Sequence, residues 1–181
     1  MTPSADLLIL LAQTVVSLLK DLPEYQRAQR ISVYLSMPGE ISTLDILEDA
    51  FKQEKKVFIP YIHSDREMSP PSVMEMLALR SKQDFDELKP DKWGIPSLTQ
   101  ESIPSRENCM GDLGRPARDQ IGIEEGEGGL DLIVMPGLAF DSELHRLGHG
   151  KGYYDIFLRR YYDNIMAREQ KMPFLGMVPS T

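Results

Sequence analysis

The chain alternates short apolar runs with stretches whose apolar residues recur at helical spacing. Ile31–Met37, rich in β-branched and aromatic residues, reads as a strand, as do Val57–Tyr61 and the shorter Val73–Ala78. Leu130–Pro136 is broken only by Asp131 and is short enough to be a strand buried on both faces, as in a parallel sheet. Met172–Val178 reads as a last strand. Leu7–Leu19 is the most apolar segment; it predicts a helix packed on the domain and ended by Asp21-Leu22-Pro23, although Leu7–Leu11 is apolar all round. A second helix runs from Leu44 to about Lys52, capped by Ser42 or Thr43, with Leu44, Leu47 and Phe51 inward. A third starts at Tyr153, where Tyr154, Phe157, Leu158 and Tyr161 share a face, and a polar helical stretch follows over Asn164–Lys171. Pro38-Gly39 and Pro136-Gly137 predict turns, and Phe85–Leu88 a loop or helical turn. Strand, helix and strand from Ile31 to Tyr61 form a unit that implies parallel pairing through a right-handed crossover.

At 181 residues the chain reads as a single domain over 1–181, able to bury about two thirds of its unfolded surface in one core without disulfides or metals. With 28 acidic against 20 basic residues the net charge is −8, which disfavours nucleic acid and anionic membrane as partners. Cys109 is the single cysteine and lies in a polar loop, so no intrachain disulfide forms and a reducing, cytoplasmic compartment is expected, with a mitochondrial one left open. Leu7–Leu19 falls short of the ~20 residues that span a bilayer, and the MTPSAD before it carries the wrong charge for a signal peptide. Ser97–Gly128 is dominated by Gly, Pro, Glu, Arg and Asp without periodicity; it is read as a mobile insertion with no assigned structure.

Candidate chemistry concentrates after the Leu130 strand. Arg146-Leu147-Gly148-His149-Gly150-Lys151-Gly152 holds three alternating glycines and two cations directly ahead of a helix. Backbone N–H groups converge on one phosphate only where the chain turns through φ > 0 with no Cβ in the way, and a helix N-terminus favours an anion. The spacing meets neither the P-loop nor the dinucleotide fingerprint, and a glycine-rich surface loop with two solvated cations is the competing reading. His145 and His149 are four apart, but the glycines between them speak against a helical metal face. Glu40 stands just past a strand's carboxyl end, where open α/β sheets bind ligands; a solvated Glu at a helix start is the alternative. Met68, Met74 and Met76 are read as core fillers before pocket liners. Trp93, the only tryptophan, either covers a flat ligand or anchors a long loop.

The strings LSMPGE, KWGIP and MPGLAFD with RLGHGKGYYD carry more than their spacing. Together, over about Leu22–Lys171, they resemble the 5-formyltetrahydrofolate cyclo-ligase family, also called methenyltetrahydrofolate synthetases. The resemblance implies a three-layer α/β sandwich with a mostly parallel sheet, of the sugar-isomerase and CoA-transferase type. It also implies ATP- and Mg²⁺-dependent cyclisation of 5-formyltetrahydrofolate to 5,10-methenyltetrahydrofolate, with release of ADP and phosphate. By the same resemblance ATP is bound by Arg146, Leu147, Gly148, His149, Gly150, Lys151, Gly152, Tyr153 and Tyr154, with Arg146 and Lys151 stabilising phosphate charge. Leu35, Met37, Glu40, Trp93 and His149–Tyr153 contact the folate, and Asp155 holds Mg²⁺. Of Tyr153 and Tyr154, one closes over the ligand and one packs inward. The substrate, polyglutamylated or not, is a small molecule, and a monomer is expected. His149 stands where the family often has Arg, leaving a charge that depends on pH. The family's N-terminal helix, with its Lys and Arg that reach ATP, and a further metal-binding Asp near the C-terminus have no counterpart, so the chain is expected to be shortened at both ends. A folate-binding but inactive homologue, and a sugar-phosphate enzyme on the same fold, are the rival readings.

Overall fold

A computed structural model of the chain describes residues 5–37, 40–64, 72–91, 93–114, 128–143, 145–148 and 150–179. Its centre is a five-stranded sheet built from β1 (Arg30–Val33), β2 (Lys56–Ser64), β3 (Ser72–Leu79), β6 (Leu132–Gly137) and β9 (Phe174–Pro179), in the order β3-β2-β1-β6-β9. Four strands run parallel and β3 alone is antiparallel, against β2. The apolar β1 and β6 lie in the interior of this sheet, as runs without polar alternation require.

Side-chain alternation sends each strand's residues to two cores. Ile31, Val33, Val57, Ile59, Leu132 and Val134 face a cluster with Val16 and Leu19 of α1 (Ala5–Asp21), Tyr25 of α2 (Pro23–Arg27), and Ile46, Leu47 and Ala50 of α3 (Leu44–Lys52). Phe58, Met74, Met76, Ile133 and Met135 face the other cluster, with Phe157, Tyr161 and Ile165 of α5 (Tyr153–Ala167). The result is helix, sheet, helix in three layers. Met74 and Met76 therefore fill core; Met68 lies outside the described residues, as does the Pro38-Gly39 turn.

Several expectations are corrected. Pro136-Gly137 is not a turn: both residues continue β6 and pair with Val178 and Pro179, because β9 supplies a ladder partner the sequence pattern does not reveal. The inward face of α3 is Ile46, Leu47 and Ala50; Leu44 and Phe51 are only half-buried at its rim. Thr43 is the N-cap of α3, but its hydroxyl donates to the Tyr34 carbonyl at 2.7 Å instead of capping the helix, tying the end of β1 to α3. The short α2 and α4 (Lys82–Asp86) lie where no helix, or only a turn, is expected.

The largest correction concerns Ser97–Gly128. Residues 97–114 are built into the fold: β4 (Lys89–Pro90) pairs with β5 (Pro96–Ser97), a 3-10 helix spans Gln100–Ser105, and Ile103, Arg106, Asn108, Cys109 and Met110 are buried; residues 115–127 lie outside the description. Polarity hides this order because the interior contacts are themselves polar. The Arg106 guanidinium, side chain 5% exposed, donates to both oxygens of Asp84, at 2.7 and 2.8 Å, and to the Ala78 carbonyl. Arg30 likewise reaches Glu107 and the carbonyls of Gly129 and Cys109. Cys109 is buried rather than looped into solvent, and burial pushes its thiol up to about 12.

The Arg106–Asp84 pair makes a testable demand. Hydrogen bonds from Arg106, outweighing burial, hold the Asp84 carboxyl below its ordinary range. Its folded value thus lies under the unfolded one, so its stabilisation is complete above about pH 4 and is lost as the pH falls through the folded value. Asp84→Ala, which strands a buried guanidinium, is expected to cost about 3 kcal/mol in urea unfolding at neutral pH. The same variant is expected to show a flatter loss of stability below about pH 4 than the wild type.

Candidate functional site

Parallel strands end together, so the segments following β1 and β6 emerge at one end of the sheet. After β1 come Leu35, buried, and Met37, half-buried, and then Glu40. The Met37 N–H donates to Glu40 Oε2 at 2.8 Å and the Glu40 N–H to the Met37 carbonyl at 3.0 Å, so the carboxylate is aimed by the backbone beside it. Tyr34, buried, donates its hydroxyl to the Ile41 carbonyl and fixes the same bend from below.

After β6 a small hairpin, β7 (Ala139–Phe140) with β8 (Arg146–Leu147), returns the chain to the sheet end. Asp141 organises its turn, accepting from the Glu143 and His145 N–H groups and pairing with the His145 ring at 2.8 Å, which holds this carboxyl below its ordinary range. The hairpin delivers Arg146. The Arg146 side chain is only 11% exposed: its guanidinium donates to Asp155 Oδ1 at 2.6 Å and to the Pro136 carbonyl at 3.2 Å, and lies 5.5 Å from the centre of the Tyr154 ring. Glycines make room for it. A Cβ at Gly148 would lie 2.7 Å from Arg146 Nη1, and one at Gly137 2.9 Å from its Cγ.

The loop then enters α5 through Gly150 at φ 78° and Gly152 at φ 67°, the left-handed conformation that a convergent N–H cradle needs. Gly152 is the N-cap, and its carbonyl accepts the first helical bond, from Ile156. Lys151 is exposed and has no ion-pair partner among the described residues. His149 lies outside them.

Tyr154 joins the two segments. It packs against both cores; burial, then Tyr34 and Glu40, push its phenol well above the ordinary tyrosine range, against the opposing pull of Arg146. Tyr34 is pushed up likewise, by burial and then by Glu40. Leu35, Met37, Glu40, Arg146 and Tyr153–Asp155 thus meet at one end of the sheet. Trp93 does not join them by burial: it is 57% exposed on the β4–β5 hairpin, whose backbone is held by Asp91. Sequence reading overlooked Tyr34 and the Pro136 carbonyl; the one aromatic residue in the Ile31–Met37 run is the signal that pointed to the former.

Metal-ligand chemistry here is sparse. Asp155 is 69% exposed with one oxygen engaged by Arg146, and no group of three His, Cys, Asp or Glu able to hold a metal occurs among the described residues. An open depression of about 560 Å³ at the opposite end of the sheet is lined by Arg30, Lys56 and Glu107 among others. Glu107 bridges both cations there and Glu54 lines the same depression, so two carboxylates face two cations and no charge is left unbalanced. Among the described residues, no helix is long and apolar enough to cross a membrane.

Residues 10–181 match the model of the 5-formyltetrahydrofolate cyclo-ligase family, a wider span than the motifs themselves occupy. The chain is 37% identical over 137 residues to 5-formyltetrahydrofolate cyclo-ligase of Mus musculus, covering 76% of this chain and 57% of that protein. It is 34% identical over 152 residues to a probable 5-formyltetrahydrofolate cyclo-ligase of Schizosaccharomyces pombe, covering 83% of this chain and 62% of that one. It therefore spans about three fifths of the length of these relatives. In fold it resembles the Aquifex aeolicus 5,10-methenyltetrahydrofolate synthetase, with a TM-score of 0.60 at 24% identity over 97% of this chain and 69% of that one.

The left-handed N-cap gives a direct test of the loop. Gly152→Ala is expected to cost about 1–2 kcal/mol in chemical unfolding, the strain of a Cβ in that conformation. No steric clash contributes, since the nearest atom to such a Cβ is 3.8 Å away.

Proposed function

The chain belongs to the 5-formyltetrahydrofolate cyclo-ligase family, and from that premise we propose that it closes 5-formyltetrahydrofolate to 5,10-methenyltetrahydrofolate at the expense of ATP. The observation that carries this reading is the meeting, around Tyr154, of an aimed carboxylate after β1 and a cationic glycine loop after β6. Each alone has an ordinary structural explanation. Side by side they supply an acceptor for a folate ring and a cradle for phosphate, the two groups that this reaction must bring into contact.

The chemistry asks little covalent work of the protein. The formyl oxygen is a poor leaving group, so it attacks the γ-phosphorus and ADP departs. N10 adds to the activated carbon and loses its proton to solvent; the carbon–oxygen bond then breaks, and inorganic phosphate leaves with the former formyl oxygen. Catalysis is positioning together with neutralisation of charge on the moving phosphoryl group.

In this reading Glu40 accepts the paired N–H groups of the pterin's aminopyrimidinone edge, and Leu35 and Met37 line its approach. The N–H groups from Gly148 to Tyr153 face the phosphates, with His149 in the same run. Arg146 and Lys151 meet the phosphate charge from opposite settings, the one half-buried and prepaired with Asp155, the other exposed and without an ion-pair partner among the described residues. Trp93 reaches the folate only if the β4–β5 hairpin folds toward it.

The donor set fits Mg²⁺ arriving on the phosphates: a single hard carboxylate, Asp155, suits an ion that keeps waters and takes phosphate oxygens, and no all-protein cage is needed. Asp155 would hold the ion, which would supply neutralisation of the phosphate oxygens, while Arg146 meets the same charge from its place beside Asp155. A monomer suffices for this chemistry, either glutamate-tail form of the folate is compatible with it, and a cytoplasmic or mitochondrial setting supplies the reactants.

Formation of methenyltetrahydrofolate, followed by its absorbance with 5-formyltetrahydrofolate, ATP and Mg²⁺, tests the proposal. Turnover is expected to vanish with a chelator and to fall by about 10²-fold in Lys151→Ala, the loss typical of one charge stabiliser. Folate binding without any product would instead identify a binding homologue that lacks the phosphate chemistry.

A further inference from the structure

Tyr154 carries a feature that its packing does not explain. Its hydroxyl oxygen is buried and has no hydrogen-bond partner among the described residues. The phenols of Tyr25, Tyr34 and Tyr161 in the same cores are all satisfied, by Asp49, the Ile41 carbonyl and the Leu130 N–H. Folded proteins pair nearly all such groups, since an unmet buried hydroxyl loses the hydrogen bonds it had in water. Phenylalanine would fill the same volume without that cost. Nothing among the described residues accounts for the hydroxyl.

Its setting narrows what accounts for it. Tyr154 occupies the first turn of α5, two residues past the left-handed Gly152. The ring packs against both cores and lies against the Arg146 guanidinium, so the oxygen has a defined place even with no partner among the described residues. That place is felt by both Glu40 and Arg146, the marker residues of the two halves of the site. Because burial keeps the phenol neutral, it acts as a hydrogen-bond donor and not as a proton source.

We infer that the Tyr154 hydroxyl is kept unpartnered for the ligand, and that it donates to the one oxygen that bridges the two halves of the site during the reaction. This rests on the cyclo-ligase reading, in which that oxygen is the formyl oxygen. It begins as a carbonyl acceptor, becomes the bridge to the phosphoryl group, and carries away negative charge as its bond to carbon breaks. A fixed donor strengthens as that charge grows, so it favours the transition state over the bound ground state. Tyr154 is in this sense a catalytic residue, and the desolvation cost of its hydroxyl falls on the unliganded protein.

Tyr154→Phe separates this role from a packing role. The measurements are thermal unfolding without ligand, the shift in Tm on adding ATP with Mg²⁺ and 5-formyltetrahydrofolate separately and together, and steady-state turnover. Expected are an unliganded Tm equal to or above that of the wild type and a smaller shift with both ligands. The kcat is expected to fall about ten- to a hundredfold, with each KM changed far less. Tyr25→Phe, which deletes a hydroxyl already bonded to Asp49, is the contrast and is expected to lower the unliganded Tm. A lower unliganded Tm for Tyr154→Phe, or turnover equal to the wild type, would overturn the inference while leaving the cyclo-ligase reading in place. A wild-type protein with neither turnover nor a ligand-induced shift would overturn that reading and this role with it.

Discussion

The parallel pairing of β1 with β6 is the constraint on which the rest of the structure depends. Its register, Ile31 opposite Leu132 and Val33 opposite Val134, is set at the amino-terminal end by Asp131. The Asp131 carboxylate accepts from the Gln29 and Arg30 N–H groups, its own N–H donates to the Arg30 carbonyl, and its carbonyl accepts from Phe174. One residue thus aligns the starts of β1, β6 and β9. A slip by one position would turn Ile31 and Val33 away from the helices of one face and break both cores at once. With that alignment set, the lengths of β1 and β6 decide where their carboxyl ends fall, and hence that Glu40 and Arg146 emerge beside each other.

A second constraint is the handling of charge. The protein carries a net charge of −8, yet its candidate site sets the cations Arg146 and Lys151 beside the carboxylates Asp155 and Glu40. Arg146 is tolerated in a nearly closed position because Asp155, the Pro136 carbonyl and the Tyr154 face each take part of its charge or its surface, and because two glycines leave space for it. The same economy appears away from the site. Lys55, 5% exposed, lays its ammonium against the carbonyls of Tyr25 and Ala28 and so satisfies the end of α2, although burial draws its pKa down. Polar groups enter this fold where backbone or counter-charge is waiting for them.

That habit explains where the sequence could be read and where it could not. The strands around Ile31, Val57 and Leu132 and the helix from Tyr153 were legible because burial against a regular element imposes a period. Residues 97–114 were not, because Arg106 and Glu107 hold them in place through partners distant in sequence, such as Asp84 and Arg30, and such partners leave no local pattern. Pro136-Gly137 looked like a turn for a similar reason: a ladder partner on β9 overrides the local preference of Pro and Gly.

At the site the division is the same. The sequence by itself determined the glycine loop, its place before a helix, the cations within it and the carboxylate after β1, since these follow from residue type and short-range spacing. The left-handed conformations of Gly150 and Gly152 follow from the same local chemistry. Only the tertiary structure decided that Arg146 is paired with Asp155 while Lys151 has no ion-pair partner among the described residues, that Trp93 is largely exposed, and that Tyr154 links the two segments with a hydroxyl unmet by any described residue. Pairing, exposure and hydrogen-bond satisfaction depend on which distant residues the sheet brings within a few ångströms, and no window along the chain contains that information.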